Sequence, residues 1–318
     1  MTVRLDPQAR ALLERSSGPA FDSLGVAEAR RAYREGRLAL APAPLAVEEA
    51  RDFAFPGAAG EVRARCYRPL GEEPGKALPG VVYFHGGGWT CGDLDTHDSV
   101  CRGIAVHGRC SVVAVDYRMG PEQKFPAAVD DALAAVKWVA ENARELAIDA
   151  SRLAVAGESA GGNLAAVAAI ALRESGPAIA MQVLVYPVVD QAADTESLAR
   201  FAHGYSLTRE LLRWYQKQYL RDERDCADWR ASPLRARDHA RLPPAYVLTA
   251  GFDPLLDEGR AYADRLKQAD NSVVYECFEG MIHGFLPMGG VLAAARHAHY
   301  RIGQMLRTRF GTFPNIRP

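Results

Sequence analysis

The sequence predicts an α/β fold built on a mostly parallel sheet with helices on both faces. Three observations carry this expectation. Short runs of β-branched and aromatic residues recur along the chain, separated by longer segments with helical periodicity, which is the alternation of a parallel sheet. Several runs, such as Val81-Val82-Tyr83-Phe84 and Val112-Val113-Ala114-Val115, are apolar at every position, as in strands covered on both sides. The 318 residues, 48% of them hydrophobic, suffice for one large core, so residues 1–318 are expected to form a single domain.

In chain order, residues 1 to about 45 read as charged amphipathic helices outside that alternation. A first strand is expected around 49–55, followed by strands at 62–67, 81–84 and 112–115. A helix over 126–146 leads into a strand at 153–156, and a small-residue helix over 159–173 leads into a strand at 183–186. Residues about 188 to 236 leave the alternation again and carry one helical pattern, 208–220, that ends in a charge-rich stretch. A strand at 246–249, a helix at 257–268, a strand at 273–278 and a helix at 291–309 complete eight strands.

The chemistry-bearing residues stand where these strands end. The run 153–156 stops abruptly in Gly157-Glu158-Ser159-Ala160-Gly161, a G-x-S-x-G pattern in which two residues without Cβ let a serine occupy a sharp strand-to-helix turn. The helix that follows sets its free N–H groups and dipole beside that serine. Strand 246–249 runs into Asp253-Pro254-Leu255-Leu256-Asp257, and strand 273–278 into Gly280-Met281-Ile282-His283-Gly284. Ser159, Asp253 and His283 thus follow one another in the order of a hydrolase triad. A serine hydroxyl is a poor nucleophile until an imidazole takes its proton, and the imidazole needs a carboxylate to fix its tautomer. Asp257 competes for the acid's role, although at a helix start it can equally serve as an N-terminal charge; the strand tip favours Asp253.

Upstream, strand 81–84 ends in His85-Gly86-Gly87-Gly88-Trp89, whose consecutive glycines leave N–H groups free to face a ligand. With this segment, the stretch 116–131, Gly157 to Gly162, Asp253 to Gly259 and His283-Gly284-Phe285, the chain resembles the hormone-sensitive-lipase-like esterases, the family IV bacterial carboxylesterases of the α/β-hydrolase fold. It departs from them at Met119-Gly120, where Leu-Ala is usual, and at Glu158, where Asp or Thr is common. The resemblance implies an oxyanion hole made by the N–H groups of Gly87, Gly88 and Ala160, and a helical cap from about 1–45 and about 188–236. It further implies hydrolysis of carboxylic esters through an acyl-enzyme on Ser159, and aromatic side chains narrowing the pocket, with no long apolar helix for docking on lipid, point to short acyl chains. Trp89, Trp214, Tyr215 and Phe285 are expected to line the substrate pocket. His85 is expected to hold the glycine loop through its backbone, and His97, His107, His239, His297 and His299 to be solvated. Two alternatives stay open: an amidase or deacetylase on the same three residues, and a non-catalytic small-molecule binding protein. Plant gibberellin receptors resemble the family but lack the histidine that this chain retains.

Composition narrows the partners. With 38 Lys plus Arg against 39 Asp plus Glu, no basic field invites nucleic acid or an anionic membrane, and a neutral small-molecule ester fits better. The cysteines at 66, 91, 101, 110, 226 and 277 are scattered, with neither C-x-x-C nor a histidine cluster at ligand spacing, so they are expected to be reduced and no metal is expected. No glycine pattern matches a nucleotide fingerprint, and no cofactor is called for. The N-terminal segment lacks a signal-peptide core, and the apolar run 164–172 is too short to span a bilayer, which together point to the cytoplasm. The oligomeric state, a homodimer included, is left open.

Overall fold

The computed structural model describes residues 3–15, 20–73 and 75–312. Its elements run α1 (Pro7–Arg15), α2 (Val26–Leu40), β1 (Glu49–Gly57), β2 (Gly60–Arg68), β3 (Leu78–Phe84), α3 (Asp98–Gly108), β4 (Ser111–Asp116) and α4 (Ala127–Glu141). They continue β5 (Ile148–Glu158), α5 (Ala160–Ala171), β6 (Ile179–Val185), α6 (Glu196–Arg200), α7 (Arg209–Tyr219), β7 (Ala245–Phe252), α8 (Leu256–Gln268), β8 (Val273–Ile282) and α9 (Ala293–Phe310). All eight strands form one sheet in the order β1-β2-β4-β3-β5-β6-β7-β8. β2 runs antiparallel to both β1 and β4, and every pair from β4 to β8 is parallel. The central strands therefore all point their carboxyl ends to one rim, where functional loops of α/β sheets gather.

The fully apolar strands are explained by two cores, one on each face. Val82, Phe84, Val113, Val115 and Val155 face one side with α4 and α5, while Val81, Tyr83, Val112, Ala114 and Ala156 face the other with α3 and α9. The strand's two-residue period sends neighbours to opposite faces, so both phases must be apolar. α5 is buried from Ala160 through Ile170 and correspondingly lacks a polar face.

Two helices, α3 and the short α6, are not among those expected from the sequence. In α3 Gly103 is needed: a Cβ there would meet the His299 ring at 2.7 Å, and one at Gly303 of α9 would meet His107 at 2.4 Å. α3 and α9 pack through these small residues. The expected helix 126–146 is shorter in the structure, ending at Glu141, with Asn142 capping back onto the Trp138 carbonyl. Among the described residues no helix is long and apolar enough to cross a membrane.

The stretch 116–131 ties the sheet to its helices. Asp131 of α4 is fully buried and accepts from the Arg118 backbone N–H at 3.0 Å and from its guanidinium at 2.8 Å twice. Removing Asp131 leaves the partly exposed Arg118 guanidinium and its backbone N–H without their acceptor, a loss of hydrogen bonds to a charged group that costs about 2 kcal/mol. Asp131→Ala should therefore lower the unfolding free energy by about that amount in urea titration. A loss below about 1 kcal/mol would show that water replaces the carboxylate.

Candidate active site

β5 delivers Ser159 at its tip with φ 56 and ψ −118, a left-handed backbone that a non-glycine residue adopts only when its surroundings enforce it. The enforcement is visible. Ser159 N–H donates to the Val185 carbonyl of the neighbouring strand at 2.9 Å, and the Ser159 carbonyl accepts from Asn163 N–H at 3.0 Å, starting α5. Any Cβ at Gly157 or Gly161 would collide with backbone, including the Phe84 carbonyl at the end of β3.

The loop after β8 brings His283 to this serine. Its Nε2 lies 2.9 Å from Ser159 Oγ and its Nδ1 2.8 Å from Asp253 Oδ2. Asp253 is wholly buried, and its Oδ1 accepts from Leu255 N–H at 2.8 Å. A proton on Nδ1 leaves Nε2 as the acceptor for the serine hydroxyl. Asp257 points elsewhere: its carboxylate accepts from Ser197 N–H at 2.7 Å and fastens α6 to α8.

The glycine loop lies beside the serine. Gly87 and Gly88 have φ of 115 and 60, and a side chain at Gly87 would strike the Cys91 carbonyl. The Gly87 carbonyl is turned inward to accept from Thr90 and Cys91 N–H, at 3.1 and 2.9 Å. The N–H groups of Gly87, Gly88 and Ala160 donate to no acceptor among the described residues. Gly86 N–H donates to Glu158 Oε1, which joins the loop to the residue before the serine. His85 sets its Nδ1 2.8 Å from the Gly86 carbonyl, while its own carbonyl accepts from Tyr117 OH at 2.6 Å. Beneath the loop, four rings stack in sequence, Tyr33 on His97, His97 on His85 and His85 on Tyr117, with centroids 6.4, 5.3 and 4.5 Å apart.

Glu158 and His97 were not recognised from sequence as a pair. His97 Nε2 lies 3.0 Å from Glu158 Oε1, and both side chains are almost fully buried. Burial pushes the Glu158 carboxyl up to about 8 and holds His97 well below its ordinary value, so at neutral pH both favour their uncharged forms. A second buried carboxyl, Glu258, is raised to about 8 for the same reason while accepting from Val189 N–H at 2.7 Å. A sequence signal was available for Glu158 alone, an acidic residue among small and apolar neighbours, whereas Glu258 stands between Asp257 and Arg260 in a stretch that reads as a solvated helix start.

A cavity of about 320 Å³ opens onto Ser159 and His283. Trp89 and Tyr215 line it, Trp89 lying flat on Tyr219 at 4.1 Å and Tyr215 covering Gly88. Trp214 and Phe285, expected in the pocket, are not in its walls. On α7 the residues 211, 212, 215 and 216 share the inward face, which turns Trp214 outward onto Phe21 at 5.8 Å. Phe285 has no exposed surface and packs behind the histidine loop against Phe278 and Tyr186. The expectation of solvated histidines also fails at His97, His239 and His299, which are buried, whereas His297 is exposed. α2 adds Tyr33 and Arg37 to the cavity, while α1 packs beside β8, with Asp6 N–H donating to the Gly280 carbonyl at 3.0 Å. α2 is clamped to the base by Arg30, which donates to the carbonyls of Thr90 and Gly120 at 2.8 and 2.9 Å and pairs with Glu122.

A family model described as the alpha/beta hydrolase fold matches residues 81–287, from the third strand through the histidine loop. Fold and site together thus define an α/β hydrolase. More narrowly, the chain belongs to the hormone-sensitive-lipase-like family of that fold. It is 43% identical over 303 residues to a carboxylic ester hydrolase, LipN, of Mycobacterium tuberculosis, covering 91% of this chain and 80% of that protein. It is 37% identical to an ethyl acetate hydrolase of Pseudomonas putida, covering 92% and 95%. Among solved structures, an α/β hydrolase enzyme from the metagenome of Lake Arreo, Spain, superposes with a TM-score of 0.93 at 42% identity, covering 97% of this chain and 99% of the other.

Glu158 makes stability depend on pH. Its carboxyl titrates near 8 in the folded chain and near 4.5 when unfolded, so between those values the folded state binds more protons. Its stabilising contribution is complete below about 4.5 and is lost as pH rises toward 8, with a slope of at most about 1.4 kcal/mol per unit. Glu158→Gln should flatten the fall in unfolding free energy between about pH 5 and 8. Identical slopes in the parent and the variant would mean that Glu158 is ionised throughout.

Proposed function

We propose that this protein is a serine carboxylesterase that hydrolyses short-chain carboxylic esters. The observation that carries the reading is the hydrogen-bonded relay Ser159–His283–Asp253 set beside three backbone N–H groups with no acceptor among the described residues. In this reading Ser159 Oγ attacks the ester carbonyl while His283 Nε2 takes its proton, and the oxyanion is held by the N–H groups of Gly87, Gly88 and Ala160. His283 then gives the proton to the departing alkoxide. Water, deprotonated by the same nitrogen, releases the acid from the acyl-enzyme. Asp253 keeps Nδ1 protonated and stabilises the imidazolium that forms in each half-reaction. Esterase names among the relatives support the same class, and the six cysteines, all unpaired, support a reducing, cytoplasmic setting. A cavity of about 320 Å³, at the small end of ligand sites, supports short acyl groups. Each buried methylene adds about 0.8 kcal/mol only until the walls at Trp89 and Tyr215 are reached.

Turnover of p-nitrophenyl esters tests each role. Ser159→Ala should lower kcat by about 10⁴ to 10⁶ with the fold retained, and near-normal activity would refute the mechanism. Asp253→Asn should cost about 10⁴ whereas Asp257→Asn should not, and the opposite pattern would reassign the acid. Gly87→Val should lower kcat by about 10² or more through loss of oxyanion donors; weaker binding at full kcat would make the loop a pocket wall instead. Along an acyl series, kcat/KM should peak near butyrate and fall well before palmitate. A steady rise to long chains would make the protein a lipase.

A further inference from the structure

The charges lining the cavity are not needed for ester cleavage, and their balance is uneven. Arg37 of α2 and Arg209 and Arg213 of α7 all contribute to its walls. None of the three pairs with a carboxylate among the described residues. Arg37 donates to the Gly284 carbonyl at 2.8 Å and lies over the Tyr33 ring, 4.9 Å from its centroid. Arg209 has a buried Nε with no acceptor among the described residues. A buried donor left unpaired is costly, and a guanidinium without its anion more so. Arg213 is exposed.

Four carboxyl groups share the cavity, and three of them are already answered. Asp190 receives Arg235 at 2.6 and 3.0 Å, from outside the cavity. Glu158 and Glu258 are buried, and both are raised to about 8, which leaves them mostly uncharged at neutral pH. The fourth, Asp194, is exposed and pairs with none of the three arginines among the described residues. Arg37 and Arg209 therefore remain as cations facing the substrate's space.

We propose that the site selects esters whose far end, away from the scissile bond, carries a carboxylate, and that Arg209 and Arg37 hold that carboxylate. This rests on the serine esterase reading and adds the substrate's charge to it. The guanidinium fork matches a carboxylate in plane and can donate two parallel hydrogen bonds, a geometry that an ester's neutral alkyl end cannot use. Hydrolysis of such a half-ester releases a dicarboxylate or a hydroxy acid, according to which side of the ester carries the charge.

Two matched pairs of substrates test this at low ionic strength and pH 7. Monoethyl glutarate is compared with ethyl 5-methylhexanoate, its neutral shape analogue, and 4-(butyryloxy)butanoate with 4-methylpentyl butyrate. The anionic member of at least one pair should have a kcat/KM about tenfold or more above its neutral match, the scale of one hydrogen-bonded charge pair. Arg209→Gln should lower that ratio by roughly fivefold or more, and Arg209→Lys should restore only part of it, since the charge still attracts but the two-pronged fork is gone. Arg37→Gln offers a second, independent loss. A ratio between two substrates on one preparation does not depend on how much of a variant folds. If both neutral esters are turned over and neither anionic partner exceeds its match, charge selection is overturned and the esterase reading stands. If no ester is turned over, the esterase reading falls, and this proposal with it.

Discussion

The chemistry of this molecule depends on how closely two stretches of backbone can approach. The Phe84 carbonyl, at the end of β3, lies where Cβ atoms of Gly157 and Gly161 would be, so the turn carrying Ser159 sits directly against the root of the glycine loop. Glu158 then stitches the two together by accepting the Gly86 N–H. Ser159 and the free N–H groups of the glycine loop are thereby held in fixed relation, the arrangement that in the proposed mechanism lets fixed dipoles stabilise developing charge. A left-handed serine is tolerable only because strand β6, helix α5 and this contact all hold it.

Much of the fold was legible because a parallel sheet leaves a loud signal. Runs such as Val81 to Phe84 must be apolar at every position, and short glycine motifs must follow them where strands end. The relay of Ser159, Asp253 and His283 was legible for the same reason, each residue standing just past a strand. What escaped was set by tertiary neighbours. α3 lies in the connection after the glycine loop, and its buried face, closed by Gly103 against His299 of α9, is defined only by that packing. Trp214 and Phe285 were misplaced because an aromatic side chain near a site carries no mark of the face it will take; one position of helical rotation sent Trp214 to Phe21. His97 looked like a polar loop residue, and only the stack between Tyr33 and His85 makes its burial intelligible.

The walls of the cavity come from segments far apart in sequence that meet over the serine. α2 contributes Tyr33 and Arg37, and α7 contributes Arg209, Leu211 and Tyr215. Such walls can change residue by residue without touching the relay beneath them, which is how one hydrolytic apparatus comes to serve many esters. The buried carboxyls follow a different logic. Glu158 and Glu258 each accept backbone N–H groups that would otherwise be stranded in the interior, and by favouring the protonated form they add little negative field next to the serine.

The clamp formed by Arg30 gives the two walls unequal standing. Its guanidinium holds the carbonyl of Thr90, just beyond the glycine loop, and that of Gly120, whose N–H donates to the Trp89 carbonyl at 2.8 Å, so α2 is bolted to the platform beside the free N–H groups. α7 is tied at its far end, where Lys124 reaches the carbonyls of Lys217 and Leu220. An enzyme engineer who grafts a new α7 onto this scaffold would be changing a door, whereas one who replaces α2 would be disturbing part of the frame on which the reaction is built.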